Sequence, residues 1–248
     1  MIASATRARV GTDHPQTLKA GIFDVDGVLL ASPHERAWRE ALVGIAEPCR
    51  FTTALYQAAV AGKPRLSGAR AALEALGVPD AGRQAVAYAE RKQKRLEELI
   101  HTGAVLAFPD AQRFVQSVRA LGWPMAVASS SKNANRMLES IRVDGGDNLR
   151  EVFTVNVCGR DLRQGKPNPE IFLLAAAELR VDPAQCFVAE DAPAGITAAR
   201  AGGMRALGVA RLGDAVSLRG AGADLVVGGL DEVAIDKLAD GRLCRRPT

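Results

Sequence analysis

Two aspartates stand inside an apolar stretch near the start of the chain, Gly21-Ile22-Phe23-Asp24-Val25-Asp26-Gly27-Val28-Leu29-Leu30. Such a run predicts a strand buried on both faces, where an ionised carboxylate is costly unless a cation or hydrogen-bond donors compensate it. In an alternating strand Asp24 and Asp26 point to the same face. One could then attack a substrate while the other transfers a proton, and Gly27 would let the chain turn sharply away.

A second acidic pair, Glu190-Asp191, follows another apolar stretch, 186–189. Four carboxylates that converge on one edge of a sheet repel one another, and a hard divalent cation with oxygen ligands relieves that repulsion. Mg²⁺ also engages phosphate oxygens. The sequence therefore predicts a magnesium site formed by Asp24, Asp26, Glu190 and Asp191.

Ser129 and Lys166 are each placed at the same edge of the predicted sheet, Ser129 at the end of an apolar stretch and Lys166 in a loop, so a hydroxyl and a cation would lie beside this metal. Together they could clamp a transferring phosphoryl group while a carboxylate attacks in line, and attack by Asp24 would give a phosphoaspartate. Taken singly, Ser129 is more simply a helix cap and Lys166 a solvated loop residue. Their occurrence with two acidic pairs in this order favours phosphoryl transfer.

Alternation of strands and helices must position these residues. We expect strands at 20–28, 124–129, 152–157, 186–189, 204–210 and 223–227, with helices at 110–121, 133–141, 168–179 and 193–201 between them. Repeated strand-helix units predict an α/β fold, a doubly wound parallel sheet with helices on both faces and ligands at its carboxyl edge.

A block without strands interrupts this alternation after the first strand. Helical patterns recur at 37–45, 51–61, 67–76 and 80–101, separated by Gly62-Lys63-Pro64 and Gly77-Val78-Pro79. We therefore expect a small all-helical domain at 34–104, inserted into a core formed by 19–33 and 105–248. Residues 1–18 lack any period and predict a disordered leader.

Composition limits the remaining possibilities. Among 248 residues, 48% are hydrophobic and only 4% aromatic, which suits Ala-rich helices and aliphatic strands. The mild charge of +4 comes partly from arginines in the terminal segments, interpreted as solvated tails, with nucleic-acid binding a minor alternative. Four scattered cysteines and no long apolar run indicate a cytoplasmic chain that binds neither structural zinc nor a membrane. We expect a monomer with no nucleic-acid partner.

The order Asp24-Val25-Asp26-Gly27-Val28, Ser129, Gly165-Lys166-Pro167 and Glu190-Asp191 resembles the four motifs of the haloacid dehalogenase superfamily of phosphotransferases, over residues 20 to 230. The helical block looks like the cap of its β-phosphoglucomutase-like group. Segments similar to that group are His34-Glu35-Arg36-Ala37-Trp38, Gly62-Lys63-Pro64-Arg65, Glu90-Arg91-Lys92, Ala128-Ser129-Ser130-Ser131-Lys132-Asn133 and Lys166-Pro167-Asn168-Pro169. The resemblance implies a small phosphorylated sugar as substrate.

The resemblance also implies roles in the core. Asp24 would be the nucleophile and Asp26 the general acid and base, while Ser129 and Lys166 would bind the transferring phosphoryl group. Mg²⁺ would be held by the Asp24 carboxylate, the Asp26 backbone carbonyl and Asp191, with Glu190 nearby or bound through water.

Roles in and next to the cap follow from the same resemblance. Arg65 and Lys92 would reach a second phosphate or sugar oxygens when the cap closes, with Ser131 and Asn133 assisting from the core. His34 would couple cap closure to the position of Asp26.

The sequence leaves the acceptor of the phosphoryl group open. Arg65, Lys92 and Asn133 favour a β-phosphoglucomutase, whereas Ala31, Ala192 and a short stretch between Gly27 and His34 favour a sugar-phosphate phosphatase. A halide-releasing hydrolase on the same fold is a further alternative, but it would leave the other carboxylates unused. A non-catalytic binding protein is opposed by intact candidates at all four core positions.

Overall fold

The chain enters its hydrophobic core at Leu18. The structure, a computed structural model, describes residues 17–143 and 146–247, so most of the expected leader 1–18 lies outside the described residues. The Leu18 side chain is 2% exposed, and its backbone N–H donates to the Gly241 carbonyl at 3.0 Å. Leu18 is therefore part of the folded core and not of a leader.

A six-stranded parallel sheet forms the centre of the molecule, in the order β5-β4-β1-β6-β7-β8, and a separate antiparallel pair joins β2 to β3. The strands are β1 (Ala20–Phe23), β2 (Leu30–Ala31), β3 (Leu106–Ala107), β4 (Met125–Val127), β5 (Val155–Asn156), β6 (Cys186–Glu190), β7 (Arg205–Val209) and β8 (Leu225–Val227). Phe23 at the end of central β1 pairs with Val127 and Ala189. The carboxyl ends of three neighbouring strands therefore meet beside Asp24.

Helices cover both faces of the sheet, and four more form the helical block between β2 and β3. Those of the block are α1 (His34–Glu40), α2 (Thr53–Leu55), α3 (Arg65–Ala75) and α4 (Ala81–His101). The others are α5 (Pro109–Ala120), α6 (Ala134–Ser140), α7 (Glu170–Leu179), α8 (Pro193–Ala201), α9 (Ala215–Gly220) and α10 (Ile235–Ala239). Phe23 and Phe114 belong to the hydrophobic cluster on one face, and Ile22 and Phe172 belong to the cluster on the other. This confirms the predicted α/β, doubly wound parallel fold.

The helices between β2 and β3 bury a third hydrophobic cluster, which includes Trp38, Phe51 and Tyr88. The Tyr88 hydroxyl donates to the Trp38 carbonyl at 2.8 Å, which ties α4 to α1. The later part of α4 leaves this cluster, because Leu96 and Leu99 pack with the cluster on the sheet. The division of the chain into core and cap at 34–104 stays a prediction.

The antiparallel pair β2–β3 joins the two chain segments that lead into and out of this helical block. Leu30 pairs with Ala107, and the Phe108 N–H donates to the Leu29 carbonyl at 3.0 Å. This pair was not predicted from the sequence, because a two-residue strand is too short to show alternation of apolar and polar residues. The two segments are thus held side by side at the sheet's carboxyl edge.

The first strand is shorter than predicted. It ends at Phe23 and not at residue 28, so Asp24 and Asp26 lie in the following loop. Gly27 has a φ of +75°, a conformation that glycine adopts without steric cost. The N–H groups of Leu29 and Leu30 both donate to the Val25 carbonyl, which closes the loop. This turn places the two aspartates at the sheet edge.

Two other segments differ from the predictions. The expected strand 152–157 is reduced to β5, because Leu149–Val152 form a 3-10 turn capped by Asn148. The expected helix 51–61 divides into α2 and the π-turn Tyr56–Val60. Neither change moves the carboxyl edge of the sheet.

The C-terminal arginines are exposed, as expected of solvated residues, but Arg245 is also bonded to the core. Arg245 donates to the Val226 carbonyl at 2.5 Å and forms an ion pair with Glu232. The segment around Arg245 is therefore attached next to β8. No helix within 17–143 and 146–247 combines the length and apolar character needed to cross a bilayer.

Candidate functional site

A buried ion pair lies at the carboxyl edge of the sheet. The Lys166 ammonium donates to Asp24 Oδ1 and to Glu190 Oε1, each at 2.5 Å. The Lys166 side chain is 1% exposed and that of Glu190 is fully buried. The end of β1, the end of β6 and the loop after β5 thus supply one residue each, although 142 residues separate Lys166 from Asp24 in the sequence.

Each carboxylate oxygen of Glu190 accepts a hydrogen bond. Its Oε2 accepts from the Ala192 N–H at 2.8 Å, while Oε1 is bound to Lys166. A Cβ at Gly195 would lie 1.8 Å from Glu190 Oε1, so only glycine fits there. Glu190 thus holds Lys166 and the Ala192 N–H, and its place near the metal or bound to it through water stays a prediction.

Burial and charge set the protonation of this cluster. Burial raises the pKa of Asp24 to about 7, although Lys166 opposes the rise. The pKa of Asp191 lies well above its usual range because of burial and of Glu190 and Asp24. Burial alone would lower the pKa of Lys166, but the two carboxylates raise it above the ordinary value. The site therefore contains more carboxyl groups than the single charge of Lys166 can neutralise.

We expect Asp24 to contribute a fall in the free energy of unfolding of the metal-free protein as pH rises from about 4 to about 7. In that window the folded chain still binds a proton on Asp24 that the unfolded chain, with the ordinary pKa of 3.8, has released. His34, whose pKa burial lowers to about 4, acts in the opposite sense, so the contribution of Asp24 is read as the difference between wild type and Asp24→Asn. Urea unfolding with a chelator at about pH 5 and about pH 7.5 measures this difference, which should fall with pH; a difference independent of pH contradicts the assignment.

A divalent cation fits part of this cluster. A Cβ on Gly27 would lie 2.0 Å from Asp191 Oδ2, so the Asp191 carboxylate lies against the loop that carries Asp24 and Asp26. No three His, Cys, Asp or Glu side chains among the described residues are arranged to hold a metal, so the predicted ring of four acids is not observed. Mg²⁺ needs only one or two carboxylates beside waters and phosphate oxygens. Asp24 and Asp191, with the Asp26 backbone carbonyl, could supply them.

His34 connects the helical block to this loop. Its Nδ1 lies 2.9 Å from the Lys92 ammonium, and its Nε2 lies 3.3 Å from Ser131 Oγ and 3.6 Å from Asp26 Oδ1. Burial lowers the pKa of His34 to about 4, so the ring is neutral at pH 7. With Nδ1 accepting from Lys92, the ring proton is on Nε2 and faces Ser131 and Asp26. Asp26 Oδ1 is a buried atom without a hydrogen-bond partner.

Lys92 is a buried amine at the opposite wall. Its residue is 3% exposed, and its ammonium lies 4.9 Å from the centre of the Trp38 ring. Burial is the main reason that the pKa of Lys92 is lowered to about 7. Asp26 opposes this effect, and Arg65 adds to it. An anion bound nearby would restore the charge of this lysine.

The loop after β4 presents Ser129, Ser131 and Asn133 in a series of turns. The Ser131 N–H donates to Ser129 Oγ at 3.1 Å, and the Asn133 N–H donates to Ser131 Oγ at 3.2 Å. The Asn133 side-chain amide exchanges two hydrogen bonds of 3.1 Å with Gln93 of α4. Gln93 was not among the sequence candidates, although its position next to Lys92 could have indicated it.

One cavity of about 240 Å³ brings these residues together. All predicted site residues except Glu190 line it, and Arg65 does so from the first turn of α3. Glu190 lies behind Lys166. Aromatic residues that the sequence analysis did not select, Trp38 and Tyr56, complete the wall on the side of the helical block. The cavity thus has a carboxylate-rich end at Asp24 and a cationic end at Arg65 and Lys92.

Comparisons with known proteins identify the family of this chain. The model of the haloacid dehalogenase-like hydrolase family matches residues 18–203. A β-phosphoglucomutase of Mycobacterium bovis is 34% identical over 88% of this chain and 92% of its own length. A fructose-1-phosphate phosphatase of Escherichia coli is 34% identical over 76% of this chain and 94% of its own.

A solved structure of similar shape is that of an archaeal β-phosphoglucomutase from Pyrococcus sp. strain ST 04, with a TM-score of 0.68 and 30% identity. The match covers 88% of this chain and 96% of that one. The residues matched by the family model, 18–203, include β1, the helical block and the loops that carry Ser129, Lys166 and Asp191. The chain therefore belongs to the haloacid dehalogenase-like hydrolase family.

Proposed function

We propose that this enzyme is a Mg²⁺-dependent phosphotransferase that acts on a small phosphorylated sugar through a phosphoaspartate. The observation that carries the proposal is the position of Asp24, which lines the cavity while Lys166 holds one of its oxygens. Relatives named as a β-phosphoglucomutase and as a fructose-1-phosphate phosphatase support this class of substrate.

In the proposed first step, the second carboxylate oxygen of Asp24 attacks phosphorus in line with the sugar oxygen. The new bond joins Asp24 to phosphorus, the bond from phosphorus to the sugar breaks, and Asp26 donates a proton to the leaving oxygen. Lys166 and Ser129 bind the phosphoryl oxygens during transfer. The position of Asp26, two residues after Asp24 in the same tight loop, supports its proposed role beside the leaving group.

In the second step Asp26 takes a proton from the acceptor, which attacks the phosphoaspartate and restores Asp24. His34 Nε2 lies 3.6 Å from Asp26 Oδ1, beyond hydrogen-bond distance, so we propose that the two come into contact when the cap closes. When bound, Mg²⁺ would neutralise the charge on the phosphoryl group. Asp24, Asp191 and the Asp26 carbonyl would hold it.

The cationic end of the cavity would receive the remainder of the substrate. Arg65 and Lys92 line it together with Lys63, while Lys132 is paired with Asp161 and Arg160 with Glu178. Such an excess of positive charge suits a second phosphate or the oxygens of a sugar. We therefore propose that the transferred phosphoryl group binds at Lys166 and the rest of the sugar phosphate at Arg65 and Lys92.

An assay with two product readouts tests the function and identifies the acceptor. The protein is incubated with Mg²⁺, β-glucose 1-phosphate and a trace of the 1,6-bisphosphate, and in parallel with fructose 1-phosphate. Glucose 6-phosphate formation shows transfer to a sugar, whereas release of inorganic phosphate alone shows a phosphatase. Turnover that persists after complete removal of divalent metal contradicts the proposed chemistry and favours a halide-releasing type.

Lys92→Met is expected to raise KM roughly 10- to 100-fold, because a charge-assisted hydrogen bond contributes about 1.5–3 kcal/mol. The exposed Lys94→Met on the same helix is the matched control and should leave KM unchanged. Since the amine has a pKa of about 7, the ratio of wild-type to Lys92→Met kcat/KM should be largest below that pH and shrink above it. A ratio independent of pH, or a KM equal to that of wild type, contradicts this role.

A further inference from the structure

Every nitrogen of the Arg211 guanidinium binds the loop that carries Asp24 and Asp26 or one of the two linkers, the segments that lead into and out of the helical block. Nε donates to the Gly27 carbonyl at 2.9 Å and Nη2 to the Val28 carbonyl at 3.0 Å. Nη1 forms a 3.0 Å ion pair with Asp110, and the guanidinium carbon lies 3.7 Å from the centre of the Phe108 ring. Arg211 and Asp110 are each only 14% exposed at the side chain.

These contacts join three parts of the chain that meet only in the folded protein. Gly27 and Val28 lie on the first segment leading to the helical block, directly after Asp26. Phe108 and Asp110 lie on the second segment, which returns from it. Arg211 itself follows β7, where its N–H donates to the Val209 carbonyl at 3.1 Å and its neighbour Ala210 is bonded to Val227. The arginine is therefore anchored to the sheet.

We propose that Arg211 is a positioning residue that holds the Asp24–Val28 loop and both linkers of the helical block in register. It touches neither Asp24 nor Asp26 and acts through the backbone carbonyls between Asp26 and the linker. A planar guanidinium is suited to this role, because its fixed donors bind two carbonyls and a carboxylate at once while its face stacks on Phe108.

Loss of this side chain leaves two carbonyls and the Asp110 carboxylate without their donor. Asp110 also accepts from the Leu230 N–H at 2.7 Å, so it stays attached to the core while the loop is released. The loop then moves relative to Lys166 and Asp191, whose positions depend on other elements. A displacement of reacting groups by about 1 Å lowers the rate by about 10²-fold. We therefore expect kcat to change more than KM.

Amide hydrogen exchange tests the inference without reference to any reaction. The N–H groups of Leu29, Leu30 and Phe108 are hydrogen-bonded within the linked segments. In Arg211→Ala, peptides that cover 25–31 and 105–110 should exchange roughly tenfold faster or more than in wild type. The matched control is Arg200→Ala, which removes an arginine bound to Asp224 and to the Met204 carbonyl away from the site. It should leave exchange in both peptides unchanged.

Kinetics provides the second readout, and this part rests on the proposed function. Arg211→Ala should lower kcat about 10- to 100-fold with KM within about threefold of wild type. Arg211→Lys should recover only part of the loss, because one ammonium cannot replace the fork, and added guanidinium should rescue Arg211→Ala. Arg200→Ala should keep the wild-type kcat.

The outcomes separate the two proposals. A wild-type protein without phosphotransferase activity overturns the proposed function, while the exchange data still decide the role of Arg211. Unchanged exchange in Arg211→Ala, or equal acceleration in Arg200→Ala, overturns the positioning role. So does a kcat that falls only in proportion to the unfolded fraction and does not respond to guanidinium.

Discussion

Asp24→Asn is expected to abolish turnover, lowering kcat by about 10⁴-fold or more, because an uncharged amide cannot form the covalent intermediate. The change is nearly isosteric, and the amide oxygen can still accept from Lys166, which keeps Glu190 as its charged partner. We therefore expect the variant to remain folded. A loss of activity without a loss of structure would distinguish the nucleophile from a residue needed only for folding.

Two measurements decide this prediction. Brief incubation with a sugar phosphate carrying radiolabelled phosphate, followed by denaturation, should leave an alkali-labile label on wild type and none on Asp24→Asn. The control is Asp231→Asn, an exposed carboxylate paired with Arg113 far from the cavity, which should keep both the label and the rate. Residual turnover of Asp24→Asn above about 1% of wild type, in a preparation shown not to have deamidated, would contradict the assignment.

Lys166→Met is expected to remove activity and also to destabilise the fold by about 3–5 kcal/mol, because it leaves two buried carboxylates without their cation. The side chain is 1% exposed, so water cannot replace the lost charge. The loss should be greatest near neutral pH and smaller in acid, where Asp24 can take up a proton. Urea unfolding at several pH values measures it.

The double variant Lys166→Met with Glu190→Gln separates the two effects. Removal of the second buried charge should recover part of the lost stability, but not activity, because the phosphoryl group still lacks its cation. Lys237→Met, which removes an exposed lysine beside Asp236, is the control and should change neither property. A Lys166→Met protein as stable as wild type would show that the ion pair is not a buried one in solution.

Local patterns were sufficient for the strands that form the sheet. The strands expected at 186–189, 204–210 and 223–227 correspond to β6, β7 and β8, because strands buried on both faces are continuous apolar runs in the sequence. The end of β1 was misplaced, since the apolar run continues to Leu30 while the backbone turns at Gly27. An apolar run indicates burial, and a buried loop can be as apolar as a buried strand.

The sequence by itself determined the α/β fold and the edge at which the core residues meet, because Asp24, Ser129 and Glu190 each follow an apolar run that ends there. Only the tertiary structure decided which side chains bind one another. Glu190 was expected at the metal or near it, and in the structure it is bonded to Lys166 and to the Ala192 N–H. The Gln93–Asn133 pair and the contacts of Arg211 join residues 40 and 184 positions apart. Such contacts depend on crossover connections and side-chain directions, which no local pattern of residues encodes.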